Sequence, residues 1–308
     1  MREKDGAEVV HRYLPIIRNY YPNISPDSIT VFQDGYDHDV LLINNHDAFR
    51  FPRSIDHGKK DHVENEFLHI FAKTSPCPVQ DITGYTDAAT GVTYQRYDFI
   101  RGVPLSIEAA ATLTEQESEH IAVNMGKFLT KLHSFPIASA RSMGMDELDP
   151  VIYWKYFEDL VEVVDVTVSP LLLDDDKLWI KKLFKDYISI IKESPFDVTV
   201  THSDLLSEHI LINETTHELN GIIDFSLRIA DPANDFKFFD RYGQAFLKTV
   251  YANYPPVDKY FDWRRQFYAG YVPIINLHES IVRKDDQLTR TYQRQLKEYI
   301  AQTITAEL

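Results

Sequence analysis

Apolar and polar positions alternate along much of the first hundred residues, and alternation of this kind predicts strands. Three strands separated by turns are expected first, at 28–32, 40–43 and 48–51. The period then changes, because apolar residues recur three or four positions apart from Val63 to Phe71, which predicts an amphipathic helix. Pro76 and Pro78 end this helix, and residues 92–97 return to a strand pattern. The first third of the chain is therefore predicted to be a sheet with one helix.

Beyond residue 101 the pattern becomes mainly helical. Thr114 and Glu117 have the spacing of a capping box, and a helical stripe of apolar residues follows them. Further helices are expected over 151–193, with a break near Ser169-Pro170. Most of the last third is also predicted to be helical, with breaks at Pro255-Pro256 and Pro273.

These elements predict an α+β fold with two parts that meet near residue 101. The two parts are a β-rich region at 1–101 and a mainly helical region at 102–308. A cleft between two such lobes is a common place for a ligand.

Composition narrows the class of partner. The 308 residues carry a formal net charge of −15, which argues against nucleic acid or an anionic membrane surface as a partner and is compatible with a cationic small molecule. Apolar residues make up 44% of the chain, enough for a packed core. The single cysteine, Cys77, together with the lack of a signal-peptide pattern or a long apolar run, predicts a cytoplasmic protein.

The densest cluster of polar residues in an apolar setting lies at 198–235. Asp204 follows an extended segment, and residues 210–212 and 221–223 are predicted to pair as a hairpin centred between 216 and 217. His209 and Asp224 are equidistant from that centre, so pairing would bring them to the same open end, beside Asp204.

Two carboxylates and an imidazole that converge in this way suit metal-assisted phosphoryl transfer. One carboxylate would orient the attacking hydroxyl, and the other two groups would hold Mg²⁺ against phosphate oxygens. His202, two residues before Asp204, is more simply interpreted as a structural histidine that braces the loop. The competing interpretation is that all these polar residues are solvated loop positions.

The N-terminal region offers matching groups for a nucleotide. Asp34-Gly35-Tyr36-Asp37 lies between two predicted strands, where a loop would cover a nucleotide, although an ordinary hairpin explains it equally well. Arg50 on the third strand has the chemistry to bind phosphate in a bidentate manner, and Glu66 on the following helix would hold it in place. Each of these charges, taken alone, also fits a surface residue.

Together these residues resemble the aminoglycoside and macrolide phosphotransferase family, which shares the bilobal protein-kinase-like fold, with a small β-rich N-lobe and a larger, mainly helical C-lobe. The resemblance covers roughly residues 30–240. The segments that carry it are HSDLLSEHILIN (202–213), NGIIDFS (220–226), DPAND (231–235) and VENEF (63–67). Within the family, LHSFPIASARSMGM (132–145) looks like the macrolide branch.

The resemblance implies a role for each matching residue. Asp204 would be the catalytic aspartate, and His209 and Asp224 the Mg²⁺ ligands. The implied nucleotide-binding residues are Gly35, Asp37, Arg50, Glu66, Phe99, Ile100 and Ile223, the pair at 99–100 belonging to a linker whose backbone binds the purine. Ser203 departs from the pattern, since the family usually has glycine at that position.

The expected function is transfer of the γ-phosphate of GTP or ATP to a hydroxyl of an antibiotic, with a macrolide favoured and GTP weakly preferred. An aminoglycoside, or a sugar or amino-alcohol metabolite, is the alternative acceptor in the same class. Two hypotheses belong to other functional classes. One is a non-catalytic nucleotide-binding module, and the other is an Fe(II) oxygenase that would use His202, Asp204 and a distant histidine such as His278. The oligomeric state stays open.

Two groups in the helical region are candidates for contact with the acceptor. An apolar and aromatic wall for a macrolide is expected from Val151–Phe157, Tyr260–Trp263, Tyr268 and Tyr271. Carboxylates for a polycation are expected from Glu158, Asp159, Glu162, Asp165 and 174–176. Core packing for the aromatic residues and a solvated face for the acids are the competing interpretations.

Overall fold

The computed structural model describes residues 6–32 and 38–306, except for the side chains of 55–60 and 304–306. Its N-terminal part is a five-stranded antiparallel sheet in the order β1-β2-β3-β5-β4, with one helix before β1 and one between β3 and β4. The elements are α1 (Gly6–Arg18), β1 (Ile29–Phe32), β2 (His38–Ile43), β3 (Asp47–Pro52), α2 (Ile55–Phe71), β4 (Thr83–Thr86) and β5 (Thr93–Asp98). The three predicted strands, the helix and the later strand are present, whereas α1 and β4 were not predicted.

The central hairpin of this sheet depends on its turn residues. Asn44 and Asn45 both have φ of 54°, in the left-handed region that asparagine tolerates better than most residues. The turn aligns β2 with β3, so Leu41 lies opposite Phe49, and both side chains are buried. Helix α1 covers this face of the sheet, and its Tyr13 stacks on Phe51 with ring centroids 3.8 Å apart.

The C-terminal part is mainly helical and contains two small sheets that carry the candidate site. Its strands are β6 (Val103–Pro104), β7 (Thr199–Thr201), β8 (Ile210–Ile212), β9 (Leu219–Ile222) and β10 (Arg228–Ala230), ordered β6-β8-β9 and β10-β7. Its helices are α3 (Ile107–Ala110), α4 (Glu115–His133), α5 (Ile137–Ser142), α6 (Pro150–Thr167), α7 (Asp174–Glu193), α8 (Gln244–Ala252), α9 (Phe261–Val282) and α10 (Asp286–Ala306).

The two parts share one hydrophobic core. Phe67 and Phe71 on α2 stack on each other, and Phe71 meets Phe128 of α4 edge to face. Because α2 is anchored in this way, the groups it presents to the sheet are held at a constant distance from the C-terminal part. Among the described residues, no helix is long and apolar enough to cross a membrane.

Local sequence patterns predicted one helix start correctly and one helix break wrongly. The predicted capping box is present, because Thr114 accepts a bond from the Glu117 amide and the Glu117 side chain binds the Thr114 amide in return. The break predicted at Pro273 is wrong, since α9 runs from Phe261 to Val282 without interruption. Pro273 is buried, and packing of α9 against its neighbours outweighs the one lost backbone hydrogen bond.

Candidate active site

A cavity of about 730 Å³ opens between the five-stranded sheet and the small sheets of the C-terminal part. Its N-terminal wall includes Val40, Arg50 and Tyr97, and its opposite wall includes Asp204 and Asp224. Most of the candidate residues predicted from the sequence therefore lie on one cleft. Gly35 and Asp37 lie outside the described residues.

The loop that carries Asp204 is held by side chains that bond its backbone. Asp204 follows β7, and its side chain is about half exposed to the cleft (47%). Asp235 is buried, and its two oxygens accept the amides of His202 (2.7 Å) and Ser203 (2.8 Å). The Asn234 side chain donates to the Ser203 carbonyl at 3.1 Å. The turn at 234–235 thus fixes the two residues that precede Asp204.

Ser203 adopts φ of 65°, a conformation that costs most residues energy but costs glycine little. This observation explains why the family usually has glycine here. The serine hydroxyl bonds Thr201 Oγ1 at 2.7 Å. The sharp bend at Ser203 turns the chain so that Asp204 lines the cleft.

His202 is structural, as the sequence suggested. Its Nε2 donates to the Ile223 carbonyl at 3.0 Å, its Nδ1 accepts the Asp204 amide at 3.3 Å, and its ring stacks on Phe225. Burial lowers the pKa of His202 to about 4, so the ring is neutral near pH 7. With both nitrogens engaged, His202 is not available to bind iron. His278 bonds Thr167 on another helix.

The hairpin of β8 and β9 brings His209 to Asp224. The register pairs Ile210 with Ile222, one residue off the predicted pairing of 210 with 223, and an irregularity lies between Leu211 and Ile212. His209 Nε2 still lies 3.4 Å from Asp224 Oδ2, and His209 Nδ1 lies 3.8 Å from Asp204 Oδ2. The three groups that were predicted to converge do so.

The proton on His209 can be placed from its partner. Nδ1 is 2.6 Å from the Asp204 carbonyl, which only accepts hydrogen bonds, so Nδ1 carries the proton. Nε2 faces Asp224 and, when it carries no proton, offers a lone pair there. Orientation of a ring by a carbonyl behind it is the usual arrangement for a metal-binding histidine.

The pair formed by His209 and Asp224 fits a small divalent ion. Mg²⁺ binds oxygen ligands at about 2.0–2.1 Å and keeps several waters, so few protein ligands are required. The 3.4 Å between Nε2 and Oδ2 is a separation that two ligands of one ion can have. Asp224 has φ of 60° and a side chain 61% exposed to the cleft, so its backbone is bent to present the carboxylate.

Burial raises the pKa of the Asp204 carboxyl, and the nearby His209 and Lys237 oppose that shift. A carboxyl group that is partly desolvated yet beside positive charge suits the task of accepting a hydrogen bond from a hydroxyl. Lys237 was not singled out in the sequence, since nothing local distinguishes it from a surface lysine.

On the N-terminal wall of the cleft, the partner predicted for Arg50 is wrong. Arg50 Nη1 donates to Glu64 Oε2 and to Gln95 Oε1, both at 2.7 Å, and Glu66 is exposed on the outer face of α2. Glu66 is therefore not the partner of Arg50. Helical spacing gives the reason, because Glu64 lies three residues before the buried Phe67 and shares its face, whereas Glu66 points away.

The ion pair of Arg50 and Glu64 faces the catalytic side of the cleft. Burial alone would lower the pKa of Arg50, but the Glu64 carboxylate, with Tyr97 and Asp224 nearby, raises it overall. The side chains of Arg50 and Glu64 are 15% and 12% exposed. Arg50 is thus a fully charged guanidinium in a sheltered position, and Glu64 is a site residue that the sequence pattern missed.

The linker between the two parts closes the back of the cleft. Phe99, Ile100 and Ile223 all line it, and the Phe99 ring stacks parallel to Phe32 with centroids 5.9 Å apart. The backbone amide of Phe99 donates to the His46 carbonyl at 2.6 Å. These three residues lie together as the sequence predicted, and their apolar side chains provide a surface for a flat ring.

The two groups of residues predicted to contact the acceptor, the aromatic wall and the acids, are only partly available for that contact. Most of the aromatic residues belong to the core or pack against it. Four are buried (Tyr153, Phe157, Phe261 and Tyr268), and three are partly buried against the core (Trp154, Trp263 and Tyr271). The exposed remainder lies on the first turns of α6, at Val151, Ile152 and Tyr156, and Tyr156 bonds the hydroxyl of Tyr271 at 2.9 Å. Three of the seven acids are paired with lysines, as Glu158–Lys192, Asp165–Lys181 and Asp174–Lys177.

Comparison with known proteins agrees with this geometry. The model of the phosphotransferase enzyme family matches residues 28–265. A similar solved structure is an aminoglycoside phosphotransferase of type 2″-IIIa with GDP and kanamycin, which shares 23% identity, covers 94% of this chain and 99% of its own, and gives a TM-score of 0.84.

Macrolide kinases have the same fold. Macrolide 2′-phosphotransferase MphH from Brachybacterium faecium shares 14% identity over 92% of this chain and 98% of its own, with a TM-score of 0.69. Macrolide 2′-phosphotransferase type I shares 20% identity over 96% of this chain and 99% of its own, also with a TM-score of 0.69. At these identities the likeness shows the fold, and the predicted protein-kinase-like architecture is confirmed.

The family model spans most of the chain, including both walls of the cleft. Its match agrees with a site in which two carboxylates and a histidine face a partly buried arginine. The chain belongs to the phosphotransferase enzyme family and is a phosphotransferase that transfers phosphate to an alcohol group.

Proposed function

We propose that this protein is a small-molecule kinase that transfers the γ-phosphate of a nucleoside triphosphate to a hydroxyl, with Asp204 as the catalytic carboxylate. The observation that carries the proposal is the convergence of Asp204, His209 and Asp224 at one end of the hairpin, facing Arg50. Phosphoryl transfer demands positioning and charge stabilisation more than covalent chemistry, and these groups supply both.

Each residue has a distinct task in this proposal. Asp204 accepts a hydrogen bond from the acceptor hydroxyl and orients its oxygen toward phosphorus. Arg50, held by Glu64, binds phosphate oxygens of the donor. His209 and Asp224 would hold Mg²⁺, which neutralises charge on the phosphate oxygens when it is bound with the nucleotide. The linker at 99–100 and Ile223 hold the purine.

The metal assignment has its own test. Imidazole is an unusual ligand for Mg²⁺, and an amide oxygen can replace it. His209→Asn should therefore retain more Mg²⁺-dependent nucleotide binding than His209→Ala, measured by calorimetric titration with and without Mg²⁺. Equal losses in the two variants would contradict the role of His209.

The donor is proposed to be GTP, with ATP as the alternative. Three structures of aminoglycoside phosphotransferases of similar fold hold GDP, one holds ADP and one holds ATP. Competition between GTP and ATP for the cleft measures the preference directly. A tenfold preference for ATP, about 1.4 kcal/mol, would overturn the proposal.

The acceptor is proposed to be a macrolide, a large apolar ring whose reactive hydroxyl lies beside one protonated amine. The exposed apolar residues at the start of α6 lie beside the catalytic loop, because Leu148 bonds Ile229 of β10 and β10 pairs with β7, which leads to Asp204. Val151, Ile152 and Tyr156 are 43%, 44% and 46% exposed there. This surface suits an apolar ring.

Charge on the same side disfavours a polycation. Arg228 in β10 lies opposite Thr201 of β7, and it forms no ion pair within the part of the chain that the structure describes. Three of the seven acids that were candidates for a polycation, Glu158, Asp165 and Asp174, are paired with lysines. A polycationic acceptor would meet repulsion from Arg228 and would find these three carboxylates already paired.

An aminoglycoside is the second candidate, and a specific observation favours it. Structures of type IIIa aminoglycoside kinases superpose with TM-scores of 0.83–0.84, against 0.69 for the macrolide kinases, whereas other aminoglycoside kinases give 0.68–0.71. Overall shape therefore favours the type IIIa aminoglycoside kinases but does not separate the two classes of acceptor. The proposal follows the chemistry, because the acceptor is recognised by side chains.

The deciding experiment incubates the purified protein with GTP, Mg²⁺ and either an erythromycin-type or a kanamycin-type antibiotic. Mass spectrometry detects a product heavier by one phosphoryl group, and Asp204→Ala is the control. A phosphorylated macrolide supports the proposal. A phosphorylated aminoglycoside, with the macrolide unchanged, assigns the second candidate, and a panel of sugars and amino alcohols follows if neither reacts.

A further inference from the structure

A buried lysine lies directly behind the catalytic loop. Lys237 ends the turn that carries Asn234 and Asp235, and it is only 2% exposed. Its Nζ lies 3.4 Å from the Ser203 carbonyl and 3.3 Å from the Asn234 carbonyl. Within the described ranges 6–32 and 38–306 it forms no ion pair with a carboxylate.

Burial of the Lys237 ammonium destabilises the folded protein. Burial of an ammonium with no carboxylate against it loses hydration that two carbonyl contacts replace only in part. Burial lowers the pKa of Lys237, while Asp235 and Asp204 oppose that shift. An apolar side chain of similar length would fill the same space without this cost, so packing does not account for the charge.

The position of the charge suggests its use. Ser203 is the strained residue of the loop, with φ of 65°, and its carbonyl receives both the Asn234 amide and the Lys237 ammonium. Asp204 is the next residue. A donor that holds the Ser203 carbonyl therefore fixes the direction in which Asp204 leaves the bend, and it places a positive charge behind the catalytic carboxylate.

We propose that Lys237 is a positioning residue for Asp204, which holds the bend at Ser203 in its active conformation and is not required for folding. This inference rests on the proposed kinase function, because it assigns Lys237 to the same catalytic loop. It predicts that activity and stability separate when the charge is removed.

The test compares Lys237→Met, which keeps length and removes charge, with Lys248→Met, which makes the same change at an exposed lysine of α8. Lys237→Met should lower kcat about tenfold or more, since small misplacements of reacting groups are costly, and leave the KM for nucleotide within twofold. Its Tm should be equal to or above that of the wild type. Lys248→Met should change neither kcat nor Tm.

A second measurement does not depend on turnover. Hydrogen exchange of the unliganded protein reports local opening, and amides in the segment 200–208 should exchange faster in Lys237→Met while those of the N-terminal sheet do not change. Lys237→Arg retains a charge near the Ser203 carbonyl and should recover part of the lost kcat.

The outcomes separate the inference from the proposed function. A kcat within twofold of the wild type, unchanged exchange at 200–208, or a fall in Tm together with kcat would each overturn the positioning role. Failure of Lys237→Met to fold would do the same, because the residue would then be structural. If the wild-type protein phosphorylates no acceptor and hydrolyses no nucleotide, the proposed function fails, while exchange and Tm still decide whether Lys237 holds the loop.

Discussion

The two walls of the cleft hold their charged groups by different means. On the N-terminal wall, Arg50 is held by two other side chains, Glu64 and Gln95, each through one bond of 2.7 Å. On the C-terminal wall, side chains bond the backbone that precedes Asp204: Asp235 accepts the amides of His202 and Ser203, and Asn234 donates to the Ser203 carbonyl. The first arrangement holds the charged side chain itself, whereas the second holds the backbone that presents it.

This difference separates binding from stability. A side chain that orients Arg50 can be altered while the sheet beneath it, with its buried Phe49 and Phe51, stays intact. The groups that orient Asp204 are themselves core, since Asp235 is buried and also bonds His133 at 3.1 Å. Variants on the N-terminal wall should therefore affect the nucleotide, and loss of Asp235 under the catalytic loop should affect the whole fold.

The largest effect is expected from Asp204→Ala. Its side chain is about half exposed and is not part of the bonds that hold the loop, so stability and nucleotide affinity should change little. Loss of the positioned carboxylate should lower kcat by about 10²–10⁴-fold. Steady-state kinetics on the acceptor found in the screen, together with thermal unfolding, measures both. Turnover close to that of the wild type would show that Asp204 is not the catalytic carboxylate.

Asp235→Ala should affect stability most. The change leaves the amides of His202 and Ser203 and the His133 ring without their buried acceptor. The free energy of unfolding should fall by about 3–5 kcal/mol, the usual result of removing one partner from a buried charged network. Urea denaturation measures it.

Asp186→Ala is the matched control, because Asp186 forms only an exposed pair with Lys182 at 2.8 Å. Its cost should stay below about 1 kcal/mol. Similar losses in the two variants would contradict the view that the loop is held from beneath.

His202 should make stability depend on pH. Its pKa is about 4 in the folded protein and near 6.5 in the unfolded chain, so between these values the unfolded chain binds a proton that the folded protein does not. Stability due to His202 is complete above pH 6.5 and is lost as pH falls toward 4, by about 3 kcal/mol. Urea unfolding at pH 7, 5.5 and 4 should show this loss, and His202→Gln should reduce it. An equal pH dependence in the variant would show that other groups cause it.

The smallest effect is expected on the N-terminal wall. The test compares substitutions at two glutamates of α2. Glu64→Gln removes the carboxylate that holds Arg50 and should raise the KM for nucleotide about tenfold, or 1.4 kcal/mol. Glu66→Gln, on the exposed face, should leave the KM within twofold. Both variants should keep the wild-type Tm within a few degrees. A larger effect from Glu66 would restore the assignment made from the sequence.

Several features could be predicted because their causes are local in the chain. The capping box at Thr114 needs only two residues three positions apart. The convergence of His209 and Asp224 needs only a hairpin, and it survived a register error of one residue because both side chains lie just beyond the paired strands. Strand β4 was not predicted, because Thr83–Thr86 is exposed and lacks the alternation of apolar and polar residues that marks a strand. Helix α1 was not predicted either.

The α+β organisation, and the meeting of Asp204, His209 and Asp224 in a cleft that Arg50 also lines, could be predicted from the sequence, because hydrophobic periodicity and turn chemistry act over a few residues. Packing between distant segments set which glutamate holds Arg50, since that depends on the rotation of α2 as Phe67 enters the core. It also decided that Pro273 continues a helix and that Lys237 lies buried behind Ser203. These outcomes depend on contacts between residues far apart in the chain, and no local pattern records such contacts.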